Sequence, residues 1–309
     1  MAKKIKQLWY KKYAPKNLSE VVFQNDSQKK KFFKYKKDGE FPHLLLSGVQ
    51  GSGKTSISNA LIAEFDIDPI DILTIKASVA NNVDTMRVQV ENFCQTYSSS
   101  RFKVVRLEEC DYLSLGAQAA LRTITEDYAD YVRFIGTCNY ANKIIPALKS
   151  RFIQYEFKAP AFEDTAVLVA NILVNEGVDF EVELLEKYIT ACYPDIRSLI
   201  GALQENSVEG KLTEPQTVTG HDYKFKLVDL LAEGDLAGIR KVVGAEVGRE
   251  DYEDLYRFMY ENIQKCKGFE SKENQERAIV LIADHLYKHA LVADPEINFA
   301  ALCIRLGDV

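Results

Sequence analysis

The stretch GVQGSGKT, residues 48–55, fits the spacing G-x-x-x-x-G-K-[ST]. Those residue types suit the cradling of phosphate. Gly48, Gly51 and Gly53 let backbone N–H groups converge on phosphate oxygens, and Lys54 has the reach for β and γ oxygens. Thr55 offers a hydroxyl to Mg²⁺, and a helix starting behind the loop adds a favourable dipole. Ser52 and Ser56 fall in the same turn and count with the glycines, Lys54 and Thr55 as nucleotide contacts. ATP and Mg²⁺ are the expected cofactors.

A phosphate loop specifies a nucleotide and leaves the reaction open. KVVRLEECD, residues 103–111, supplies a second part: an apolar strand that runs into two carboxylates, in the manner of a Walker B end. The first, Glu108, is placed to hold Mg²⁺, directly or through water. The second, Glu109, is the candidate general base for the attacking water. Asp is usual at the first position, so Glu108 reaches one methylene further toward the metal.

These residues need a scaffold that puts strand ends side by side. Across residues 41–157 short β-rich runs (HLLLSG, DILTIKA, KVVRLEE, VRFIGTCN, FIQYEF) alternate with helical stretches from Lys54, Val83 and Ser114. Such alternation predicts a parallel sheet with helices on both faces. The segment SQKKKFFKYKKDG predicts a lysine-rich helix ending near Gly39. After Pro160 apolar residues recur at helical spacing, as at Leu184, Leu185, Tyr188 and Ile189, and residues 210–220 are rich in turn formers. FKLVDLLAEGD, YEDLYRFMYENI and ERAIVLIADHLYKHALV then predict three more amphipathic helices. The expected layout is an α/β ATPase domain (1–158), an all-α lid (159–220) and an all-α collar (221–309).

A chain of 309 residues with 47% hydrophobic and 27% charged residues has globular composition and room for two or three such domains. It has no apolar run of the roughly 18 residues a membrane span needs. MAKKIKQLWYKK lacks the apolar core of a secretory signal, so the expected location is the cytoplasm, or the host cytoplasm for a phage-encoded chain. Net charge is −6, yet residues 1–37 hold twelve lysines against two acidic residues, which leaves the remainder at −16. The basic segment reads either as a solvated face or as a surface for an acidic neighbour or DNA.

With both nucleotide motifs placed, residues 9–200 resemble the AAA+ module of sliding-clamp loaders, as found in T4-type phage loader large subunits and replication factor C small subunits. WYKKYAPKNLSEVV, residues 9–22, is similar to the family's W-x-x-K-Y-R-P segment, and the resemblance puts Tyr13 and Pro15 around the adenine, with Ala14 in place of the usual Arg. Asn139, after FIGTC, matches the sensor 1 position that holds the attacking water. IIPALKSRF follows, and its Ser150 and Arg151 resemble the S-R-C motif, whose Arg completes the ATP site of the adjacent subunit; Phe152 replaces the Cys. PDIRSLIGAL resembles the sensor 2 helix, with Arg197 facing the phosphates.

Two further matches concern DNA. KASVANNVDTMR, residues 76–87, partly resembles a stretch that tracks the template backbone; Ser78 and Arg87 correspond, while Lys76, Val79 and Ala80 depart from the pattern. LGAQAALR, residues 115–122, resembles the helix in which Gln118 and Arg122 would relay DNA occupancy to the catalytic carboxylate, with Ala119, Ala120 and Leu121 as core. Phe93 and Tyr97 read equally as clamp-facing and as core.

The resemblance implies Lys54, Glu109, Asn139, Arg197 and a neighbour's Arg151 as catalytic groups. It implies as partners a ring-shaped clamp, primer–template DNA bound through its backbone, and further loader subunits in a pentamer, with no membrane. The readings that compete are a non-hydrolysing structural subunit of such a loader and another AAA+ DNA-remodelling ATPase.

Overall fold

Five short apolar runs form one parallel sheet: β1 (Leu44–Gly48), β2 (Ile72–Lys76), β3 (Lys103–Glu108), β4 (Val132–Cys138) and β5 (Ile153–Phe157), in the order β2-β3-β4-β1-β5. The computed structural model describes residues 7–23, 25–49, 51–78, 83–158, 160–215, 223–248 and 251–309. Lys3, Lys4, Lys6, Gln50 of the phosphate loop, Val79, Ala80 and residues 216–220 of the turn-rich stretch lie outside them.

Alternation along the strands sorts side chains to two faces. Leu44 and Leu46 pack with Val104, Ile135, Phe157, Phe32, Ile57 and Leu61 on one face. Leu45 packs with Val105, Leu107, Phe134, Val90, Leu121 and Ile124 on the other. The first face is therefore covered by α2 (Asp26–Asp38) and α3 (Lys54–Ala63), the second by α4 (Val83–Gln95) and α5 (Leu115–Asp127). A strand buried on both sides must be apolar throughout, which is why β1 reads LLLSG without alternation. Two short helices, α1 (Trp9–Lys12) and α6 (Pro146–Lys149), complete this part.

The lysine-rich helix α2 ends as its sequence predicts. Asn25 caps its start by accepting from Gln28 N at 2.8 Å, and Gly39 closes it in the left-handed conformation at φ 71°. Its apolar stripe, led by buried Phe32, faces the sheet and leaves Lys29, Lys30, Lys31, Lys34, Lys36 and Lys37 exposed. On α5 Leu121 is buried, but Ala120 is only half-buried and Ala119 is exposed, which corrects their reading as core. Consecutive residues on a helix turn by about 100°, so three in a row cannot all face inward.

The remaining helices are α7 (Phe162–Asn175), α8 (Val182–Cys192), α9 (Ile196–Glu205), α10 (Tyr223–Glu233), α11 (Leu236–Glu246), α12 (Tyr252–Asn262), α13 (Lys272–His289) and α14 (Pro295–Leu306). Between α9 and α10 lies a two-stranded antiparallel ribbon, β6 (Ser207–Val208) with β7 (Lys211–Leu212), where sequence predicted helices and turns alone. Its hairpin turn uses Glu209 and Gly210, both at positive φ.

Among the described residues five α-helices follow residue 220, against the three expected. Gly238 and Gly244 dilute the helical signal of α11, whose buried Ile239 and Val243 are four residues apart. Helix α14 opens with Pro295 behind the capping carboxylate of Asp294, a start that can be mistaken for a loop.

Contacts divide the chain into two compact units, residues 1–168 with 194–201, and residues 169–193 with 202–309. The second unit has its own apolar core, including Tyr223, Leu227, Ile239, Leu255, Met259, Ile282, Phe299 and Leu302. A buried polar chain crosses it: Asn298 Nδ2 donates to Tyr256 Oη at 2.7 Å and to the His285 carbonyl at 2.9 Å, while His285 Nδ1 meets Asn298 Oδ1 at 2.8 Å. In the same unit Lys187 of α8 pairs with Glu214 and Asp229, which holds α8 beside α10.

Candidate nucleotide site

The phosphate loop leaves β1 at Gly48 and enters α3 at Lys54. Gly48 sits at φ 147°, and a Cβ there would lie 1.8 Å from the Phe157 carbonyl oxygen of the neighbouring strand, so no side chain fits. Gly51 (φ 76°) lies against Asp195, and Gly53 (φ 84°) is the residue from which α3 starts. Ser52 is buried, and its Oγ donates to the Val49 carbonyl at 2.8 Å, closing the turn. Lys54 crosses the loop, with Nζ donating to the Gly48 and Val49 carbonyls at 2.9 and 2.6 Å. Burial pulls the Lys54 ammonium below the usual lysine value, against the opposing influence of Cys138, Asp111 and Asp195.

A cavity of about 390 Å³ opens over this loop. Tyr13 and Pro15 line one side, Gly51, Ser52, Gly53, Lys54, Thr55 and Ser56 form the floor, and Arg197 closes another side. The walls are mixed, as a nucleotide requires: apolar Val21, Val22, Ile196 and Ile200 for a base, and loop amides, Lys54 and Arg197 for phosphates. Arg197 is exposed at the first turn of α9 and lies over the Tyr10 ring at 5.7 Å. Asp195 fixes that turn by accepting from Arg197 N at 2.9 Å and from Ser198 N at 3.2 Å.

Glu108, Glu109 and Asn139 do not line this cavity; they stand at the carboxyl ends of β3 and of β4, the latter being the neighbour of β1. The register pairs Ser47 of β1 with Cys138 of β4, which places Asn139 alongside the start of the phosphate loop. Leu107 pairs with Gly136, so Glu108 and Glu109 leave β3 at the same level. Glu109 is exposed and adopts the left-handed conformation at φ 56°, with its N–H toward Thr137 Oγ1 at 3.4 Å. Glu108 is paired with Arg106, two residues back on the same strand face, at 3.5 Å.

Ligands that are oxygen donors and backbone amides fit Mg²⁺–ATP better than a metal alone. Among the described residues no group of three or more His, Cys, Asp or Glu side chains is arranged to hold a metal by itself. Thr55 lies in the floor of the cavity, whereas Glu108 stands outside its lining.

Arg151 lies at the other end of the sheet. Ile153 is in register with Leu44, so Arg151 precedes the amino edge, whereas Gly48 is at the carboxyl edge. A five-residue strand separates the two by about 16 Å. Its guanidinium donates to Glu126 Oε2 at 2.9 Å and to Ser150 Oγ at 3.0 Å.

The predicted relay glutamine is buried and fully engaged. Gln118 Nε2 donates to the Leu113 and Lys143 carbonyls at 3.0 and 3.1 Å, and its Oε1 accepts from Ile145 N at 2.8 Å. It thus ties α5 to the loops that follow β3 and β4, while Arg122 is exposed on the same helix. Ser78 is exposed beyond β2, and Arg87 is exposed on α4, paired with Glu91 at 2.9 Å. Phe93 packs partly against the core with Lys103 over its ring, whereas Tyr97 is 94% exposed. The motifs gave no role to Asp195 or Asp111; for both, an acid next to a turn was visible in sequence, but its approach to the phosphate loop or Lys54 was not.

Sheet order, phosphate loop and strand-end carboxylates define a P-loop ATPase of the AAA class. The family described as "ATPase family associated with various cellular activities (AAA)" matches residues 44–159. The chain is 37% identical over 210 residues to the replication factor C small subunit of Sulfurisphaera tokodaii, covering 67% of this chain and 64% of that relative. It is 30% identical over 277 residues to the replication factor C small subunit of Aeropyrum pernix, covering 83% and 84% of the two chains. The chain belongs to the replication factor C small-subunit family. In fold it is similar to the Thermotoga maritima RuvB Holliday junction branch migration motor, with a TM-score of 0.57 and 18% identity over 81% of this chain and 80% of that one.

Proposed function

We propose that the chain is an ATP-hydrolysing subunit of a sliding-clamp loader, which opens a ring clamp and places it on primer–template DNA. The observation that carries this reading is the division of the catalytic groups. Lys54, Thr55 and Arg197 line the cavity over the phosphate loop, Glu109 and Asn139 follow the carboxyl ends of β3 and β4, and Arg151 precedes the amino edge, out of reach of its own phosphate loop. An arginine so placed serves a neighbouring subunit, and hydrolysis then depends on assembly.

In this reading Tyr13 and Pro15 hold the adenine, and the amides of Gly48, Gly51, Ser52, Gly53 and Ser56 with Lys54 hold the phosphates. Mg²⁺, held by Thr55 and by Glu108 directly or through water, would neutralise charge on the β and γ oxygens. Glu108 exchanges or shares its Arg106 partner to do so. Glu109 takes a proton from the attacking water, Asn139 orients that water, and Arg197 ties the first turn of α9 to the nucleotide state.

Residues 1–158, 159–220 and 221–309 act as ATPase, lid and collar domains, the last joining copies of this chain and other subunits into a pentamer. Ser78 and Arg87 touch the DNA backbone, which reads shape and not sequence. Gln118 and Arg122 pass that contact on to the catalytic loops. Tyr97, the most exposed of these aromatics, faces the clamp. This reading puts its work in the cytoplasm, where a loader meets replicating DNA.

The test is steady-state ATP hydrolysis by the reconstituted complex, with and without clamp and primed DNA. Stimulated turnover is expected for the wild type, and a loss of about 10²–10⁴-fold for Glu109→Gln with nucleotide binding retained. Turnover indifferent to clamp and DNA would sink the loader reading.

A further inference from the structure

The turn after β3 carries a buried acid that has no part in the roles above. Asp111 is 7% exposed. Its Oδ2 accepts from the Tyr140 backbone N–H at 3.2 Å, and its Oδ1 is buried without a hydrogen-bond partner. A carboxyl group with one oxygen buried and unpartnered in a protein interior is costly, and an apolar residue there would serve stability better. Its presence calls for another reason.

The neighbours of Asp111 supply one. Two residues earlier Glu109 is held at φ 56°, a conformation that a side chain with a Cβ keeps only where the surroundings over-determine it. The turn itself is closed by Tyr112 N–H to the Glu109 carbonyl at 2.9 Å and Leu113 N–H to the Cys110 carbonyl at 3.2 Å. The Asp111 bond runs out of this turn to the peptide that directly follows Asn139. Gln118 fastens the same two loops further along, through Leu113 on one and Lys143 and Ile145 on the other. Glu109 and Asn139 therefore sit on two loops pinned together close to both side chains.

We infer that Asp111 is a positioning residue for hydrolysis: its carboxylate fixes the Asn139–Tyr140 peptide to the turn that presents Glu109, so that base and sensor share one frame. This rests on the ATPase reading above. Asp111 does not line the nucleotide cavity; it acts through Glu109 and Asn139.

The experiment compares Asp111→Ala and Asp111→Asn with wild type in the assembled complex. It reads the affinity for a fluorescent ATP analogue, single-turnover hydrolysis, and hydrogen exchange at the Tyr140 amide. Asp111→Ala is expected to bind the analogue within about twofold of wild type, to lose at least about tenfold in hydrolysis, and to expose the Tyr140 amide. Asp111→Asn keeps an oxygen that accepts from Tyr140, and should recover protection and most of the rate. Three outcomes overturn the assignment: wild-type hydrolysis in Asp111→Ala, a loss of nucleotide affinity as large as the loss of rate, or unchanged Tyr140 exchange. A wild-type complex without turnover overturns the ATPase reading and this role with it. Unchanged exchange beside normal wild-type turnover overturns this role alone.

Discussion

Gly48 carries a constraint that no polar contact reports. It occupies φ 147° in register with Phe157, and an added Cβ would meet the Phe157 carbonyl at 1.8 Å. Backbone on both sides leaves no flexible side chain to yield. Gly48→Ala is expected to cost at least about 3 kcal/mol, since the β1–β5 pair must separate or the loop must change its φ. Thermal unfolding and nucleotide titration check this; a variant with wild-type melting would show that the loop relaxes freely. Lys54 makes the complementary point. Its ammonium already rests on the Gly48 and Val49 carbonyls, so nucleotide binding exchanges neutral acceptors for anionic phosphate oxygens and gains mainly from the added charge attraction.

At the scale of elements, His43 shows how the sheet and its helices are locked. Placed just before β1, it offers Nδ1 to Phe134 N–H at 3.2 Å and Nε2 to the Thr125 carbonyl at 3.0 Å, joining β4 and α5 to the start of β1. Nδ1 accepts, so Nε2 carries the proton and the ring is neutral. Burial holds the imidazole below its ordinary value; the Thr125 carbonyl pulls the other way and the Arg133 charge adds to the lowering. The folded value lies below the unfolded one, so between them the unfolded chain binds more protons. Stability is full above about pH 6.5 and falls as pH drops through the window below it. Urea unfolding between about pH 7.5 and 5 is expected to show this slope. A His43→Gln variant should be less stable at neutral pH and have a shallower slope. An unchanged slope would assign the acid sensitivity elsewhere.

At the scale of the whole molecule, the proposed division of labour predicts complementation. A chain with Arg151→Ala keeps its own pocket but cannot complete its neighbour's; a chain with Glu109→Gln does the reverse. Neither alone should hydrolyse ATP efficiently. Mixed in equal amounts before assembly, they should recover about a quarter of the wild-type interfaces, because a head-to-tail contact pairs one pocket with one finger at random. No recovery would place Arg151 outside the site, in agreement with a structural pairing to Glu126.

The amino-acid sequence by itself determined the strands, the phosphate loop and the family resemblance, because each rests on local patterning. An apolar run bounded by turn formers, glycines where a side chain cannot fit, and lysine and threonine at a helix start are all read within about ten residues. Tyr13, Pro15 and Arg197, far apart in the chain, were assigned to one site by resemblance, and they line one cavity with the loop. Only the tertiary structure decided what depends on register and burial across distant segments. Parallel pairing of β5 with β1 put Arg151 at the edge opposite Gly48. Packing turned Gln118 inward, where its hydrogen bonds go to the loops beyond β3 and β4. Asp111 is one acid among several in EECD until its burial and its bond to Tyr140 single it out. Helices α11 and α14 likewise escaped notice, since glycines and an opening proline obscure a local signal that a shared apolar core overrides.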